Sequence, residues 1–492
     1  MLFRSTRGHE QAVSASEAIL QGLAPDGGLY VPDEIPALTH SMDEFASMSY
    51  QEVAYHVLKL LLTDFTEEEL KSCISKAYGS QWDDATIAPI HKVGEVFHLE
   101  LFHGPTIAFK DIALTILPHL LTTSARKHGI KNEIVILTAT SGDTGKAALA
   151  GFTDVEGTRI IVFYPKGGVS KIQELQMTTQ VGDNVHVVAI HGNFDEAQNG
   201  VKQIFHDQEL AQELEAQGFQ LSSANSINIG RLAPQIVYYV YSYAKLLAQG
   251  ELKQGELLHV TVPTGNFGNI LAAYYAKCMG VPIGKLICAS NENKVLFDFF
   301  QTGVYDRNRP FVLTSSPSMD ILISSNLERL IYTIAESESD VNASLMKNLT
   351  ETGSYMINES MREHLHGFVG GYASEEQTWQ TIRTVYEETG YVMDTHTAVA
   401  SYVNQQFREQ HGDVNTLVVS TASPYKFIKQ VMCAIDSKYN SYEELDLISS
   451  LYEVSKVSIP KAVQDVIAAD VIHTTECAST EMKQMVKDLL QI

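Results

Sequence analysis

The sequence predicts an α/β protein whose core is parallel sheet covered by helices on both faces. Three observations carry this. Six short apolar runs, 134–140, 159–165, 184–192, 257–264, 285–290 and 416–421, have the length and residue types of strands. They are apolar almost throughout, as strands buried on both faces are, rather than alternating. Helical stretches separate most of them, and two end in glycine-rich turns, TSGDTG and GNFGN, where a helix begins.

Taken in order, residues 1–90 read as a mixed and mostly helical segment. Within it 22–32, GLAPDGGLYVP, is a turn-rich loop, and 49–78 has helical periodicity with an acidic middle at Glu67, Glu68 and Glu69. A helix-like stretch covers 111–121 after the irregular run His103, Gly104, Pro105, Thr106. The α/β rhythm then begins. Residues 315–332 read as a loop followed by a helix, 336–370 as a polar helical insertion, and the tail from Asp436 as acidic and helical without recognisable chemistry.

With 492 residues, 45% of them apolar and 19% charged, the chain has material for two or three domains. The 59 acidic against 35 basic residues give a net charge of -24. That excludes nucleic acid and anionic membrane surfaces as expected partners. Any anion site must therefore be local, made of backbone N–H groups and a few placed cations. The five cysteines are widely spaced with no CxxC pair, which points to a reducing cytoplasm. No signal-peptide region and no run of about 20 apolar residues is present. HExxH, nucleophile-elbow and metal-spaced Cys/His patterns are missing, so no metal is expected.

Lys110 opens the candidate chemistry. A lysine in the first turn of a helix faces the positive end of the dipole, and burial beside Phe109 acts in the same direction. Both favour the neutral amine that Schiff-base chemistry requires; the alternative is a surface lysine with a buried stem. The turn TSGDTGKAA (140–148) leaves N–H groups and hydroxyls free for an anion. It lacks the first glycine and final Ser/Thr of a nucleotide P-loop, so a small carboxylate fits better, with an ordinary strand–helix turn as the alternative. GNFGN (265–269) is not GxGxxG and suits a phosphate monoester, or else a tight turn needing positive φ. Arg231 lies near a helix N-terminus, with Pro234 in the first turn. The helix dipole disfavours a cation there unless an anion binds; a paired or solvated arginine is the other reading. Thr421 ends a strand where open α/β sheets bind ligands, or caps a helix. Asp394 reads as a helix cap, and His396 has no identifiable partner.

Together these segments resemble the threonine synthases, pyridoxal-phosphate enzymes of the tryptophan-synthase-β-like fold. The likeness runs in order through STRG (5–8), LAPDGGLYVP (23–32), GPTIAFKD, ATSGDTG, NSINxxR, GNFGN, PSMDI (317–321), SSNLER and STASPYKF, and so covers most of the chain to about residue 430. The N-terminal extension is similar to that of the branch found in many bacteria and fungi. The resemblance implies PLP fold type II: two parallel-sheet α/β domains with an N-terminal mixed helical extension. The expected division is 1–90 for the extension, 91–125 with 257–492 for a large cofactor-binding domain, and 126–256 for a small domain.

The resemblance also implies roles. Lys110 matches the lysine that carries pyridoxal 5'-phosphate. Gly265, Asn266, Phe267, Gly268 and Asn269 match the cradle for the cofactor phosphate, and Thr421 the hydroxyl at the pyridine nitrogen. Asp143 stands where the shorter branch has asparagine near the cofactor's 3' oxygen. Thr140, Ser141 and Gly142 match the loop for the substrate carboxylate, and Thr144, Asn225, Ser226 and Arg231 the grip on its phosphate. The implied substrate is O-phospho-L-homoserine, converted with water to L-threonine and phosphate by γ-elimination and β-hydration in a cytoplasmic monomer or homodimer. A phospho-lyase ending in 2-oxobutyrate, a hydroxy-amino-acid dehydratase and a silent ligand-binding relative are the rivals. Two departures from the pattern are Ser423, where relatives often carry histidine, and Lys146, where they often carry a small residue; Lys146 adds charge near the anion or is simply exposed.

Overall fold

The computed structural model describes residues 1–492. Two sheets organise it. The larger has six strands in the order Phe368–Tyr372, Ile283–Ser290, Leu258–Pro263, Thr416–Ser420, Val96–Glu100 and Ile90–Val93. All neighbours are parallel except the last pair, an antiparallel hairpin. The smaller is wholly parallel, in the order Thr475–Ala478, Val185–His191, Thr158–Pro165, Glu133–Ala139 and Phe219–Ser222. The strands legible in the sequence are the inner ones. Thr416–Ser420 is buried at all five positions, as a strand covered on both faces must be.

The strands missing from the sequence reading have a common cause. Ile90–Val93, Phe219–Ser222 and Thr475–Ala478 are edge strands with a polar, partly exposed pattern. Val96–Glu100 buries two polar residues, His98 and Glu100. Phe368–Tyr372 contains two glycines and closes the segment expected to be a helical insertion. Neither period nor apolar content marks such strands.

Several boundaries also differ. Residues 49–78 form two helices, Tyr50–Leu61 and Glu67–Ala77. The acidic middle is the first turn of the second, where Thr66 and Glu69 make a reciprocal capping box and the glutamates complement the helix dipole. The stretch 111–121 is likewise broken, into Lys110–Leu114 and Leu117–Lys127, with Pro118 in the first turn of the latter. Pro234 lies in the second turn of helix Ile229–Ala248, not the first. That 20-residue helix is buried at nearly every position, including Tyr238, Tyr239, Tyr241 and Tyr243, and forms a central axle of the main core. The tail does more than pack on the larger sheet: Thr475–Ala478 pairs with Val185–His191, and helix Met482–Leu490 buries Met482 and Val486 in the core beside that sheet.

The N-terminal segment is locked to the body by buried charge. Within the expected loop, Tyr30–Pro32 is a strand paired antiparallel to Phe3–Ser5. Arg7 donates to both oxygens of Glu328, at 2.9 and 2.8 Å, and the Thr6 hydroxyl donates to the same carboxylate at 2.6 Å. Next to it Arg329, fully buried, donates to the carbonyls of Tyr30 (2.9 Å) and Ile227 (2.6 Å) and to Asn326 Oδ1 (2.5 Å). One guanidinium thus fixes the N-terminal strand and the 225–231 loop together, because its planar set of five donors can serve several acceptors at once.

Candidate functional site

Lys110 is the first residue of its short helix, and its side chain is only 11% exposed. The turn before it is pinned by Asp111, whose carboxylate accepts from the Thr106 N–H at 2.8 Å and the Thr106 hydroxyl at 2.5 Å. Phe109 N–H donates to the Thr421 carbonyl at 2.8 Å, which seats Lys110 at the carboxyl end of the Thr416–Ser420 strand. Burial lowers the proton affinity of the Lys110 amine, as do the nearby Lys426 and Arg231, against the opposing pull of Asp143. The neutral-amine direction read from the sequence holds. Its main cause is desolvation rather than the dipole of a five-residue helix.

Asp143 is the hub of the site. Its Oδ2 lies 3.3 Å from Lys110 Nζ and accepts the Ser318 hydroxyl at 2.8 Å. Its Oδ1 accepts from Gln173 Nε2 at 2.8 Å and lies 3.3 Å from Lys426 Nζ. Burial by itself would raise this carboxyl, but the Lys110 and Lys426 ammonium groups outweigh it and hold the group far below the usual carboxylate range. Asp143 begins the helix Asp143–Phe152. Gly142 before it has φ +131°, and a Cβ there would lie 2.5 Å from the Gln173 amide, so only glycine fits. The Thr140 hydroxyl accepts from the N–H groups of Gly142 and Gly145, both at 2.9 Å. It shapes the loop, while the N–H groups of Ser141, Asp143 and Thr144 take no protein acceptor among the turn and cap bonds.

The GNFGN turn lies against Ser318. A Cβ on Gly265 would stand 2.6 Å from the Ser318 carbonyl oxygen. Phe267 has left-handed backbone, φ 66°, unusual for a bulky residue. Its ring is buried beside Phe300 and Phe368, at 6.1 and 6.0 Å between centroids. This conformation turns the N–H groups of Gly265 through Asn269 away from any backbone acceptor, a nest suited to a phosphate. Asn269 is oriented by Tyr238 and Tyr239, whose hydroxyls donate to its Oδ1 at 2.6 and 2.5 Å, and its Nδ2 has no protein partner.

Arg231 is 4% exposed and pairs with no carboxylate. One nitrogen donates to the Ala224 carbonyl at 2.8 Å, and Nε has no partner at all. Burial lowers its proton affinity to a pKa of about 10. A buried, underbonded guanidinium at a helix N-terminus is what an anion site looks like before the anion. Asn326 Nδ2 donates to the Asn266 carbonyl at 3.1 Å and the Ser226 carbonyl at 3.3 Å, so the GNFGN turn and the 225–231 loop share one strut. Asn225 is exposed and Ser226 half-buried at this mouth. Thr421 is buried at the end of its strand, 6% exposed, and Ser423 accepts from the Tyr425 N–H at 3.3 Å.

Four residues that sequence reasoning did not assign belong here: Ser318, Gln173, Lys426 and His396. His396 does have partners, accepting the Ser318 N–H at Nε2 (3.1 Å) and contacting Asp394 through Nδ1 (2.7 Å). The signal for Ser318, Lys426 and His396 was present in PSMDI, STASPYKF and MDTHTAV, and Gln173 lies in no motif; only the folded chain brings these segments together. Lys146 is not exposed. It is buried, bonded to Gln180 Oε1, and carried by desolvation and by Lys426 to a pKa of about 7. A surface hollow of about 440 Å³ between helices Tyr50–Leu61 and Glu67–Ala77 contains no site residue.

Comparison with known proteins adds independent findings. A family model described as threonine synthase N terminus matches residues 2–78, and one described as pyridoxal-phosphate dependent enzyme matches 86–422. Threonine synthase of Saccharomyces cerevisiae is 34% identical, with 98% of each chain covered. Threonine synthase-like 1 of Homo sapiens is 41% identical over 87% of this chain; this chain spans 59% of that relative's length. The crystal structure of PLP-bound threonine synthase from Brucella melitensis superimposes with a TM-score of 0.88, at 34% identity and 99% coverage of both chains.

Proposed function

Since the chain belongs to the threonine synthase family of pyridoxal-phosphate-dependent, fold type II enzymes, we propose that it converts O-phospho-L-homoserine and water to L-threonine and phosphate. The observation that carries this is the pairing of a buried lysine amine, Lys110, with a buried guanidinium that lacks a carboxylate, Arg231, close enough to depress the lysine's proton affinity.

The residues fit the cofactor. Pyridoxal 5'-phosphate, when bound, supplies an aldehyde that bonds a lysine amine and a ring that withdraws electrons from the substrate's α-carbon. Lys110 would carry it, the N–H nest of Gly265, Asn266, Phe267, Gly268 and Asn269 would hold its phosphate, the Thr421 hydroxyl would meet the ring nitrogen, and Asp143 would face the 3' oxygen. A hydroxyl partner cannot fully protonate the ring nitrogen, which tempers charge withdrawal and leaves proton handling to the protein. Lys110, whose proton affinity burial lowers, takes the α-proton and returns protons along the chain of carbons. Ser141, Gly142 and the Thr140-shaped loop orient the substrate carboxylate. Arg231, with Thr144, Asn225 and Ser226, stabilises the departing phosphate dianion, whose charge is greatest as the γ C–O bond breaks.

The division expected from the sequence is kept as our reading: an extension (1–90), a large unit (91–125 with 257–492) and a small unit (126–256), with strand Thr475–Ala478 reaching the small sheet. Five unpaired cysteines support a reducing, cytoplasmic setting, and a monomer or homodimer is kept as our reading of the assembly; no helix is long and apolar enough to cross a membrane. The test is a product assay with phosphohomoserine. Threonine with equimolar phosphate supports the proposal, whereas 2-oxobutyrate with phosphate would make the protein a lyase. Lys110→Ala should abolish turnover together with the visible absorbance of bound cofactor, and retention of either would refute the role of Lys110.

A further inference from the structure

Two motifs, PSMDI and MDTHTAV, are not used by the reaction as set out above, yet they meet at Lys110. The geometry points to Ser318 as a further catalytic residue that fixes the Lys110 amine through its hydroxyl, with Asp394 and His396 as the pair that positions Ser318. This rests on the reading of Lys110 as the reacting amine.

A hydroxyl has one proton and two lone pairs. Ser318 gives its proton to Asp143 Oδ2 at 2.8 Å, so toward Lys110 Nζ, 3.3 Å away, it can only accept. One lysine N–H is thereby held, and the amine's lone pair is turned away from Ser318. A turn as short as Pro317–Met319 has little rigidity of its own. It is held from outside on three sides. The Thr395 hydroxyl donates to the Ser315 carbonyl at 2.7 Å, the Ser318 N–H donates to His396 Nε2 at 3.1 Å, and the bare Cα of Gly265 admits the Ser318 carbonyl.

The histidine contact fixes a tautomer. Accepting at Nε2 requires the ring proton on Nδ1, where it donates to Asp394 Oδ2 at 2.7 Å. Asp394 is fully buried and also accepts the N–H groups of His396 and Thr397, both at 3.0 Å, so its orientation is over-determined. The ring packs on Phe427 at 4.8 Å between centroids. The alternative tautomer would set N–H against N–H and release Ser318. Around the amine itself the charged groups are Asp143, Lys426 and Arg231; Asp394 reaches it only through His396 and Ser318.

The test reads Lys110 without substrate or turnover. Full-length protein freed of cofactor is reacted with acetic anhydride across pH, and Lys110 acetylation is quantified by peptide mass spectrometry. Removing an acceptor from the ammonium form makes the amine titrate lower. Ser318→Ala should move the midpoint down by about one pH unit, and Ser318→Thr should restore it. His396→Leu should move it the same way, and His396→Gln, able to accept the Ser318 N–H, should restore it. A Ser318→Ala midpoint equal to wild type, or a His396→Gln midpoint displaced as far as that of His396→Leu, overturns the inference. Should Ser318→Ala lose its thermal transition, the two His396 variants decide alone. Failure of the wild type to make threonine would count against the proposed reaction and leave these midpoints interpretable.

Discussion

Replacing Lys146 with methionine should make the protein more stable, by an amount that depends on pH. Lys146 is 5% exposed and has Gln180 Oε1 as its acceptor. Taking its amine from an ordinary 10.5 to about 7 costs roughly 5 kcal/mol at 1.36 kcal/mol per pH unit. The folded value lies below the unfolded one, so between about pH 7 and 10.5 the unfolded chain binds the extra proton and wild-type stability rises with pH. Below pH 7 the penalty is present in full. Methionine fills similar volume without the charge but leaves Gln180 without its donor, a loss of about 1–3 kcal/mol. The net gain at pH 6–7 should be about 2–4 kcal/mol, shrinking to nothing or reversing near pH 10. Urea denaturation of both proteins at pH 6, 7.5 and 9 measures it. A difference that stays constant over this range, or a variant less stable at pH 6, would refute the reasoning.

Three further outcomes are expected. Arg231→Ala should raise the KM for phosphohomoserine by about a hundredfold or more, as loss of a charge-assisted contact worth about 3 kcal/mol requires, while titration of the cofactor band shows little change in cofactor affinity; equal losses in both would count against its phosphate role. Asp143→Asn keeps the shape but strips Lys110 and Lys426 of their shared carboxylate, and should cost about 3–5 kcal/mol at neutral pH by chemical denaturation. In wild type the depressed Asp143 carboxyl contributes its stability above the ordinary 3.8 and loses it only as pH falls through its lower folded value, so the variant's deficit should vanish in strong acid. Arg329→Met should leave the Tyr30 and Ile227 carbonyls and Asn326 Oδ1 without donors, lowering the thermal midpoint and loosening phosphate binding together; a change in one alone would show that the N-terminal strand and the anion loop are not held in common.

Much of the architecture was legible because buried parallel strands are written as unbroken apolar runs. Thr158–Pro165 and Leu258–Pro263 need no context to be recognised. Lys110 and Arg231 stood out because each is a cation near a helix N-terminus, where the dipole disfavours it, whereas Asp143 entered only through the family resemblance. What stayed hidden depends on distant partners. Nothing near Ser318 in the chain says that it lies beside Asp143, 175 residues away. Lys146 was ambiguous for the same reason, since its burial comes from Gln180 and the elements around it rather than from its helix. The edge strands were lost because an edge needs only half the apolar signal of a centre.

The pairing of Thr475–Ala478 with Val185–His191 bears on how the chain is made. As it emerges from the ribosome, the strand at 185–191 exists long before the one at 475–478, and synthesis proceeds N-terminus first. During that interval one border of the smaller sheet is an open row of N–H and C=O groups, available to any other extended chain. Residues 475–492 therefore act as a closing seam, and a message or protein cut short after residue 470 should yield a product that keeps Lys110, Asp143 and Arg231 yet accumulates in inclusion bodies.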